Sequence, residues 1–133
     1  MARDAIMTPH FGYREFWRHG VEPPPSMIPQ LRELAEQLEV LRAQLGGPRI
    51  VITRHGGWRS VEINRDVGGA TRSQHLLGRA ADIVVWSGGH VVAPRDVGDV
   101  VLRLMRSGAI IAGGVGVYSG FTHVDTRGRV TTW

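Results

Sequence analysis

The chain has 133 residues, a formal charge of +4 and no cysteine, and all 16 of its basic side chains are arginine. This length predicts one domain whose core needs no covalent staple. The lack of cysteine excludes disulfides and thiolate metal ligands. The basic balance would suit either a nucleic acid or an anionic bacterial wall. The arginines are scattered rather than clustered, which does not favour nucleic acid.

No apolar stretch approaches the roughly 18 residues that a membrane span requires. The first residues, Met1 to Asp4, lack the charged-then-apolar run of a signal peptide. We therefore expect synthesis in the cytoplasm and no membrane partner. A monomer is also expected.

Residues 1–25 are predicted to form an N-terminal arm. Phe11, Phe16 and Trp17 lie in a segment that can form one or two helical turns, and their spacing predicts an apolar face that packs on the core. Pro23-Pro24-Pro25 is rigid and extended. This linker separates the arm from the main domain, which we place at residues 26–133.

Two amphipathic helices are predicted. Apolar residues recur at steps of three and four from Ile28 to Leu45, with Ser26 as the expected N-cap and Gly46-Gly47-Pro48 as the stop. The second helix covers residues 96–106 and starts near Pro94, since proline favours the first helical turn.

Runs of β-branched and apolar residues predict a small sheet. The expected strands are residues 49–53, 80–86, 109–117 and 121–126, and the last two form a hairpin; a short helix is expected at 61–67. Tyr118 and Trp86 could line a cleft, but aromatic side chains at strand ends more often belong to the core. The element order predicts an α+β fold, a small, mostly antiparallel sheet flanked by helices.

Asp82 interrupts the apolar strand at 80–86 and is costly to bury unless it is paired or bound to a metal. His75 lies seven residues earlier, and His123 supplies a second imidazole from a distant strand. Two histidines and one carboxylate, with a fourth position left for water, are typical of a catalytic zinc site. His75 and Asp82 alone are a weak signal, because such pairs occur by chance.

The wider pattern Ser73-x-His75-x-x-Gly78-x-Ala80-x-Asp82, together with His123, is more specific. It resembles the zinc D-Ala-D-Ala carboxypeptidase family, which shares its fold with the hedgehog signalling domain and with phage endopeptidases that cut cell walls. The resemblance implies that Zn²⁺ is bound by His75, Asp82 and His123.

Other segments extend the resemblance over residues 31–133. Trp58-Arg59-Ser60 is similar to the family's turn of an aromatic residue, Arg and Ser, and residues 113–125 are similar to its closing hairpin. The aromatic arm resembles the phage or prophage branch. The resemblance therefore implies a peptidoglycan stem peptide as substrate, cut by a D,D-carboxypeptidase or an endopeptidase. Without a signal peptide, such an enzyme reaches the wall after holin-type release or as a phage component.

Arg59 and Ser73 are the candidate substrate-binding residues. In the family an Arg at the position of Arg59 binds the substrate carboxylate or stabilises the oxyanion, which makes Arg59 a candidate catalytic residue as well. A surface or helix-capping role is the alternative for this Arg. Ser73 is a candidate hydrogen-bonding partner of the substrate by the same resemblance.

The general base is the open question. Many relatives place an acidic residue three positions before the last zinc ligand, but this chain has Gly120 there. Asp125 is the candidate substitute, because residues two apart on a strand face the same side. It could accept the proton of the attacking water, orient His123 from behind, or form an ion pair with Arg127 or another arginine.

Two other functions compete with the peptidase. A zinc-retaining wall-binding or structural module without catalysis is consistent with Gly120. A basic nucleic-acid-binding domain is the third possibility, and it predicts that no zinc is bound.

Overall fold

The computed structural model describes all 133 residues and contains three helices and eight strands. The helices are α1 (Ile28–Gln44), α2 (Val61–Asp66) and α3 (Pro94–Ser107). Short 3-10 turns cover Tyr13–Trp17, Pro25–Met27 and Gln74–Leu77. The strands are β1 (Ile6–Thr8), β2 (Phe11–Gly12), β3 (Arg49–Ile52), β4 (Ala80–Ser87), β5 (His90–Val91), β6 (Gly114–Val117), β7 (Thr122–Asp125) and β8 (Thr131–Thr132).

Six strands form the main sheet, in the order β3-β4-β7-β6-β8, with β5 also paired to β4. Every pair in this sheet is antiparallel except β6 with β8. The predicted α+β class with a mostly antiparallel sheet is therefore confirmed. None of the helices combines the length and the apolar character that a membrane crossing would need.

The two long helices bury the apolar faces that the sequence indicates. In α1 the buried residues are Leu31, Leu34, Ala35, Leu38 and Leu41. In α3 they are Val97, Gly98, Val101, Leu104 and Met105. Full burial of a leucine or valine side chain contributes about 1.5–3 kcal/mol. These faces pack with the sheet in one core cluster of 23 buried residues, so the helices hold the sheet in place.

The N-terminal arm packs into the same core. Phe11, Phe16 and Trp17 are buried, and the backbone carbonyl of Phe16 accepts a hydrogen bond from the Trp58 amide at 2.7 Å. The side chain of Glu39 on α1 accepts bonds from the backbone amide and the Nδ1 of His10, at 2.7 and 2.8 Å. The arm therefore braces the turn that leads to Arg59.

The strand predicted at 109–117 is shorter than expected and begins only at Gly114. The amides of Ala109 and Ile110 bond back to the Leu104 carbonyl, and the Ile111 amide bonds to the Gln37 side chain. These donors close the end of α3 and are not available to a sheet ladder. The predicted start of this strand was therefore wrong.

Candidate metal centre

Three buried side chains from separate parts of the chain converge on one point. The metal-binding atoms offered by His75, Asp82 and His123 all lie within 4.8 Å of one another. Nε2 of His75 is 3.3 Å from Oδ1 of Asp82, and Nδ1 of His123 is 3.0 Å from the same oxygen. The arrangement offers two imidazole nitrogens and one carboxylate oxygen to a single ion.

Strand register places two of these residues. Asp82 on β4 and His123 on β7 are direct cross-strand partners. Ala81, Ile83 and Val124, which flank them along the strands, belong to the apolar core. Because alternate residues of a strand face opposite sides, Asp82 and His123 share the side away from that core.

The 3-10 turn after Ser73 places the third residue. The Ser73 hydroxyl accepts a hydrogen bond from the His75 amide at 3.2 Å and so caps the turn. Nδ1 of His75 lies 2.9 Å from the Gly57 carbonyl, an acceptor that fixes the ring proton on Nδ1. Nε2 is then left with a lone pair that faces Asp82.

His123 is held from behind by a carboxylate. Its Nε2 lies 2.7 Å from Oδ2 of Asp125, which is completely buried. Asp125 also accepts hydrogen bonds from the Gly114 amide at 2.8 Å and from the Arg127 guanidinium at 2.6 and 2.9 Å. A carboxylate behind a metal-binding histidine orients the ring and makes it a better ligand.

The donor set fits zinc. Tetrahedral Zn²⁺ with nitrogen and oxygen ligands at about 2.0–2.2 Å separates the ligand atoms by about 3.3–3.6 Å. The two separations in the structure, 3.3 and 3.0 Å, are close to that range. Nδ1 of His75 and Nε2 of His123 are bonded to acceptors outside the centre. The other ring nitrogens, Nε2 of His75 and Nδ1 of His123, face Oδ1 of Asp82. A bound cation would accept a lone pair from all three of these atoms.

The electrostatics of the site favour an ionised carboxylate. Burial alone would raise the pKa of Asp82, but its contacts with His123 and then with His75 lower it to about 2. Burial would also raise the pKa of Asp125, yet its bonds to His123 and Arg127 hold that pKa below the usual range. Burial lowers the pKa of His123, but its two carboxylate partners outweigh this and raise it.

Arg59 supports the carboxylate that faces the metal position. Its guanidinium donates to Oδ2 of Asp82 at 3.2 Å, to the Asn64 side-chain oxygen at 3.3 Å and to the His55 carbonyl at 2.7 Å. Asp82 therefore keeps Oδ1 toward the two histidines while Arg59 holds Oδ2. Burial lowers the pKa of Arg59, although the adjacent Asp82 opposes that shift.

A cleft of about 420 Å³ is lined by all three candidate metal ligands. Its lining includes Ser73 and Arg59, which the sequence proposes as substrate-binding residues. The only carboxylate in the lining is that of Asp82. Gly120 has no side chain and is not among the residues that line the cleft, so this position adds no functional group to it.

The sequence model of the peptidase M15 family matches residues 10–125. The match covers most of the chain and includes His75, Asp82 and His123. The chain belongs to the peptidase M15 family.

A characterised relative supports the identity of the metal. This M15 chain is 42% identical over 53 residues to the zinc D-Ala-D-Ala carboxypeptidase of Streptomyces albus G. The aligned stretch covers 40% of the M15 chain and 20% of the relative. A zinc enzyme among its relatives and a His-Asp-His site that fits the ion identify Zn²⁺ as the cofactor of the M15 chain.

Two aromatic residues of the cleft differ from the sequence analysis, which did not identify Trp133 and favoured the core for Tyr118. Tyr118 and Trp133 line the cleft and are 43% and 47% exposed. Trp133 packs on His123 with ring centroids 4.9 Å apart, and its indole N–H donates to the Tyr118 hydroxyl at 2.7 Å. The preference for Tyr118 as a core residue was wrong, and so was that for Trp86, which is 41% exposed.

Asn64 is the other residue that was missed. It is buried, accepts from Arg59, and donates to the Ala70 carbonyl at 2.9 Å. It thereby joins Arg59 to the loop that precedes Ser73. A single polar residue in a predicted helix carries no sequence signal for such a bridge.

Proposed function

We propose that the chain is a zinc metallopeptidase that hydrolyses peptidoglycan stem peptides, as a D,D-carboxypeptidase or a cross-link endopeptidase. The observation that carries the proposal is the convergence of His75, Asp82 and His123 beneath an open cleft in an M15 chain. The named activity of the Streptomyces albus G relative supports the choice of substrate.

Zinc bound by three protein ligands polarises a carbonyl and lowers the pKa of a bound water to about 7. The residues of the chain then have separate tasks. His75, Asp82 and His123 would hold the ion, and Arg59 keeps the Oδ1 of Asp82 turned toward the two histidines by bonding to Oδ2. The Ser73 hydroxyl accepts from the His75 amide, so its own proton is free to bind substrate in the cleft.

Of the roles that the resemblance implies for Arg59, we propose the catalytic one, in which it contacts the substrate at the oxyanion. Its three hydrogen bonds leave two of the five guanidinium protons for the cleft. Such donors stabilise a developing oxyanion, and the loss of one typically slows a reaction by about 10²–10³.

For Asp125 we propose the orienting role among the three that the sequence left open. The side chain is completely buried, and both of its oxygens already accept hydrogen bonds, from His123, Gly114 and Arg127. A carboxylate in that setting steadies His123, with the Arg127 ion pair as a second constraint. A role as the general base would require at least one of these bonds to open.

One observation favours a second function, that of a zinc-retaining module that binds the wall without cutting it. The cleft holds no carboxylate apart from Asp82, which is already bonded to His75, His123 and Arg59. Gly120 adds no proton acceptor. Both functions require the zinc site, but only the peptidase hydrolyses peptidoglycan.

Digestion of defined muropeptides tests the proposal. Zinc-loaded protein is incubated with stem pentapeptides and with cross-linked dimers, and the products are identified by mass spectrometry. The peptidase releases D-Ala or separates the dimers, and His123→Ala abolishes both reactions together with zinc binding. His90→Ala is the matched control, because His90 is exposed on β5 and has no contact with the centre.

If the zinc-loaded protein leaves every muropeptide intact but sediments with purified walls, the binding module is correct and the peptidase is not. Membership of the phage or prophage branch, which the aromatic N-terminal arm resembles, is part of our proposal. The same digest on walls from different bacteria identifies the target.

A further inference from the structure

Three guanidinium groups line the cleft, and the protein's own carboxylates neutralise two of them. Arg59 donates to Asp82 at 3.2 Å, and Arg127 donates to Asp125 at 2.6 Å. Arg72 is exposed and forms no hydrogen bond or ion pair. Arg72 is therefore the one cation in the lining whose charge is not balanced within the chain.

The backbone holds Arg72 close to the metal centre. Arg72 lies in a turn that is closed by a hydrogen bond from the Ser73 amide to the Ala70 carbonyl, at 3.0 Å. Asn64 donates to the same carbonyl at 2.9 Å. Arg72 and His75 are three positions apart in the chain, so their Cα atoms are at most about 11 Å apart. Two hydrogen bonds to the Ala70 carbonyl thus hold the turn, while the Arg72 side chain is left free.

Charge in the cleft selects the kind of group that Arg72 binds. In the ion pairs Arg59–Asp82 and Arg127–Asp125 the two charges of each pair cancel. Arg72 and a bound metal ion then carry the excess positive charge of the cleft. A guanidinium presents paired donors that match the two oxygens of a carboxylate. An anionic ligand is therefore drawn to this side of the cleft.

We propose that Arg72 binds the free C-terminal carboxylate of the peptide that is cut, so that the chain acts as a carboxypeptidase rather than as an endopeptidase. This inference rests on the proposed function and adds the selectivity of the site. Arg59 cannot serve as fully in this role, because Asp82, Asn64 and the His55 carbonyl already engage it.

A pair of substrates that differ only at the C-terminus tests the proposal. An N-acylated peptide ending in D-Ala-D-Ala is compared with its C-terminal amide, using zinc-loaded protein. The wild type is expected to prefer the acid. Arg72→Gln is expected to lower kcat/KM for the acid about five- to tenfold, mainly through KM, and to change the amide by less than twofold.

Two further variants show whether a loss of preference for the acid comes from the guanidinium group of Arg72. Arg72→Lys keeps the charge but loses the paired donors, so it should recover part of the preference for the acid. Arg65→Gln makes the same charge change on the neighbouring helix α2, at an exposed residue outside the cleft lining, and should leave both substrates unaffected.

The inference is overturned if the wild type cuts acid and amide equally well, or if Arg72→Gln slows both to the same extent. A failure of the proposed function gives a different result, since zinc-loaded wild type then cuts neither peptide. In that case titration calorimetry of the zinc-loaded protein with the two peptides decides. Tighter binding of the acid that Arg72→Gln removes supports the subsite, and equal binding overturns it.

Discussion

Asp82 and His123 face each other across β4 and β7, with Nδ1 of His123 3.0 Å from Oδ1 of Asp82. The two residues are 41 positions apart in the chain, and the antiparallel register alone brings them together. A slip of one residue along β7 would turn His123 toward the core. The metal centre therefore depends on the pairing of these strands as much as on the identity of the ligands.

The contact behind His123 gives the first prediction. Asp125→Asn removes the charged acceptor of the His123 Nε2–H and breaks the ion pair with Arg127. Because a partner behind a metal ligand typically contributes 10- to 100-fold to affinity, we expect zinc affinity to fall by about that factor. Competition with a chromogenic chelator measures it.

The same variant separates two roles of Asp125. A general base would leave zinc affinity unchanged and reduce only kcat in the zinc-loaded protein. Asp99→Asn is the control, because Asp99 is exposed on α3 and makes no ion pair. Unchanged zinc affinity in Asp125→Asn would contradict the orienting role.

The second prediction concerns the glycine turn beneath the site. A Cβ on Gly56 would lie 2.7 Å from Cβ of Asp82 and 2.9 Å from its carbonyl oxygen, and closer still to the Thr53 hydroxyl. Backbone atoms cannot move aside easily, and such overpacking costs about 1–3 kcal/mol. We expect Gly56→Ala to lower both the melting temperature and zinc affinity.

Gly120→Ala is the matched control for that substitution. A Cβ there meets nothing within 4 Å, and Gly120 does not have a positive φ. Calorimetric melting of the two variants should therefore differ clearly. Equal stability of Gly56→Ala and Gly120→Ala would show that the turn tolerates the extra carbon.

Features that depend on residues close together in the sequence could be predicted, whereas contacts between distant residues could not. The apolar period between Ile28 and Leu45 predicts α1 to within two residues, because a helix is read from near neighbours. Asp82 is recognisable because a carboxylate stands out within an apolar strand. The link from Asn64 to Arg59 joins a polar side chain to a separate loop, and no local pattern reports it.

Trp133 shows the same limit. It reaches His123 because β8 pairs in parallel with β6, and the Trp133 amide bonds to the Val115 carbonyl at 3.0 Å. A Cβ at Gly116 would lie 2.5 Å from the indole nitrogen, so the missing side chain of that glycine makes room for the ring. The strand β8 has only two residues, too few for a periodic pattern that could be predicted from the sequence. The contact of the adjacent Trp133 with His123 therefore could not be predicted either.

Trp133 is the subject of the third prediction. Its ring packs on His123 and beneath the Arg127 guanidinium, which lies 5.2 Å from the ring centroid. Aromatic contacts of this kind contribute about 0.5–1.5 kcal/mol, so Trp133→Leu should weaken zinc binding about two- to tenfold. Tyr118→Phe removes only the acceptor of the indole N–H and should change zinc affinity by less than twofold.

Trp86→Leu provides the comparison, since Trp86 is similarly exposed but lies outside the cleft lining. Chelator competition on the three variants is the measurement. An effect of Trp86→Leu as large as that of Trp133→Leu would assign the loss to general destabilisation.

The last prediction uses pH to probe how the N-terminal arm is held. Burial would raise the pKa of Glu39, but hydrogen bonds from the His10 side chain and backbone lower it. A carboxyl with a lowered pKa in the folded protein stabilises the fold above its ordinary pKa, and this contribution is lost as the pH falls through the folded value. Glu39→Gln should therefore lower the free energy of unfolding at pH 7, by about 1 kcal/mol, and the difference from wild type should shrink toward pH 3.

Urea unfolding between pH 7 and pH 3 measures the difference between Glu39→Gln and wild type. Glu36→Gln is the control, because Glu36 is exposed on the same helix and makes no ion pair. A deficit that stays constant down to pH 3 would mean that the charge of Glu39 does not hold the arm.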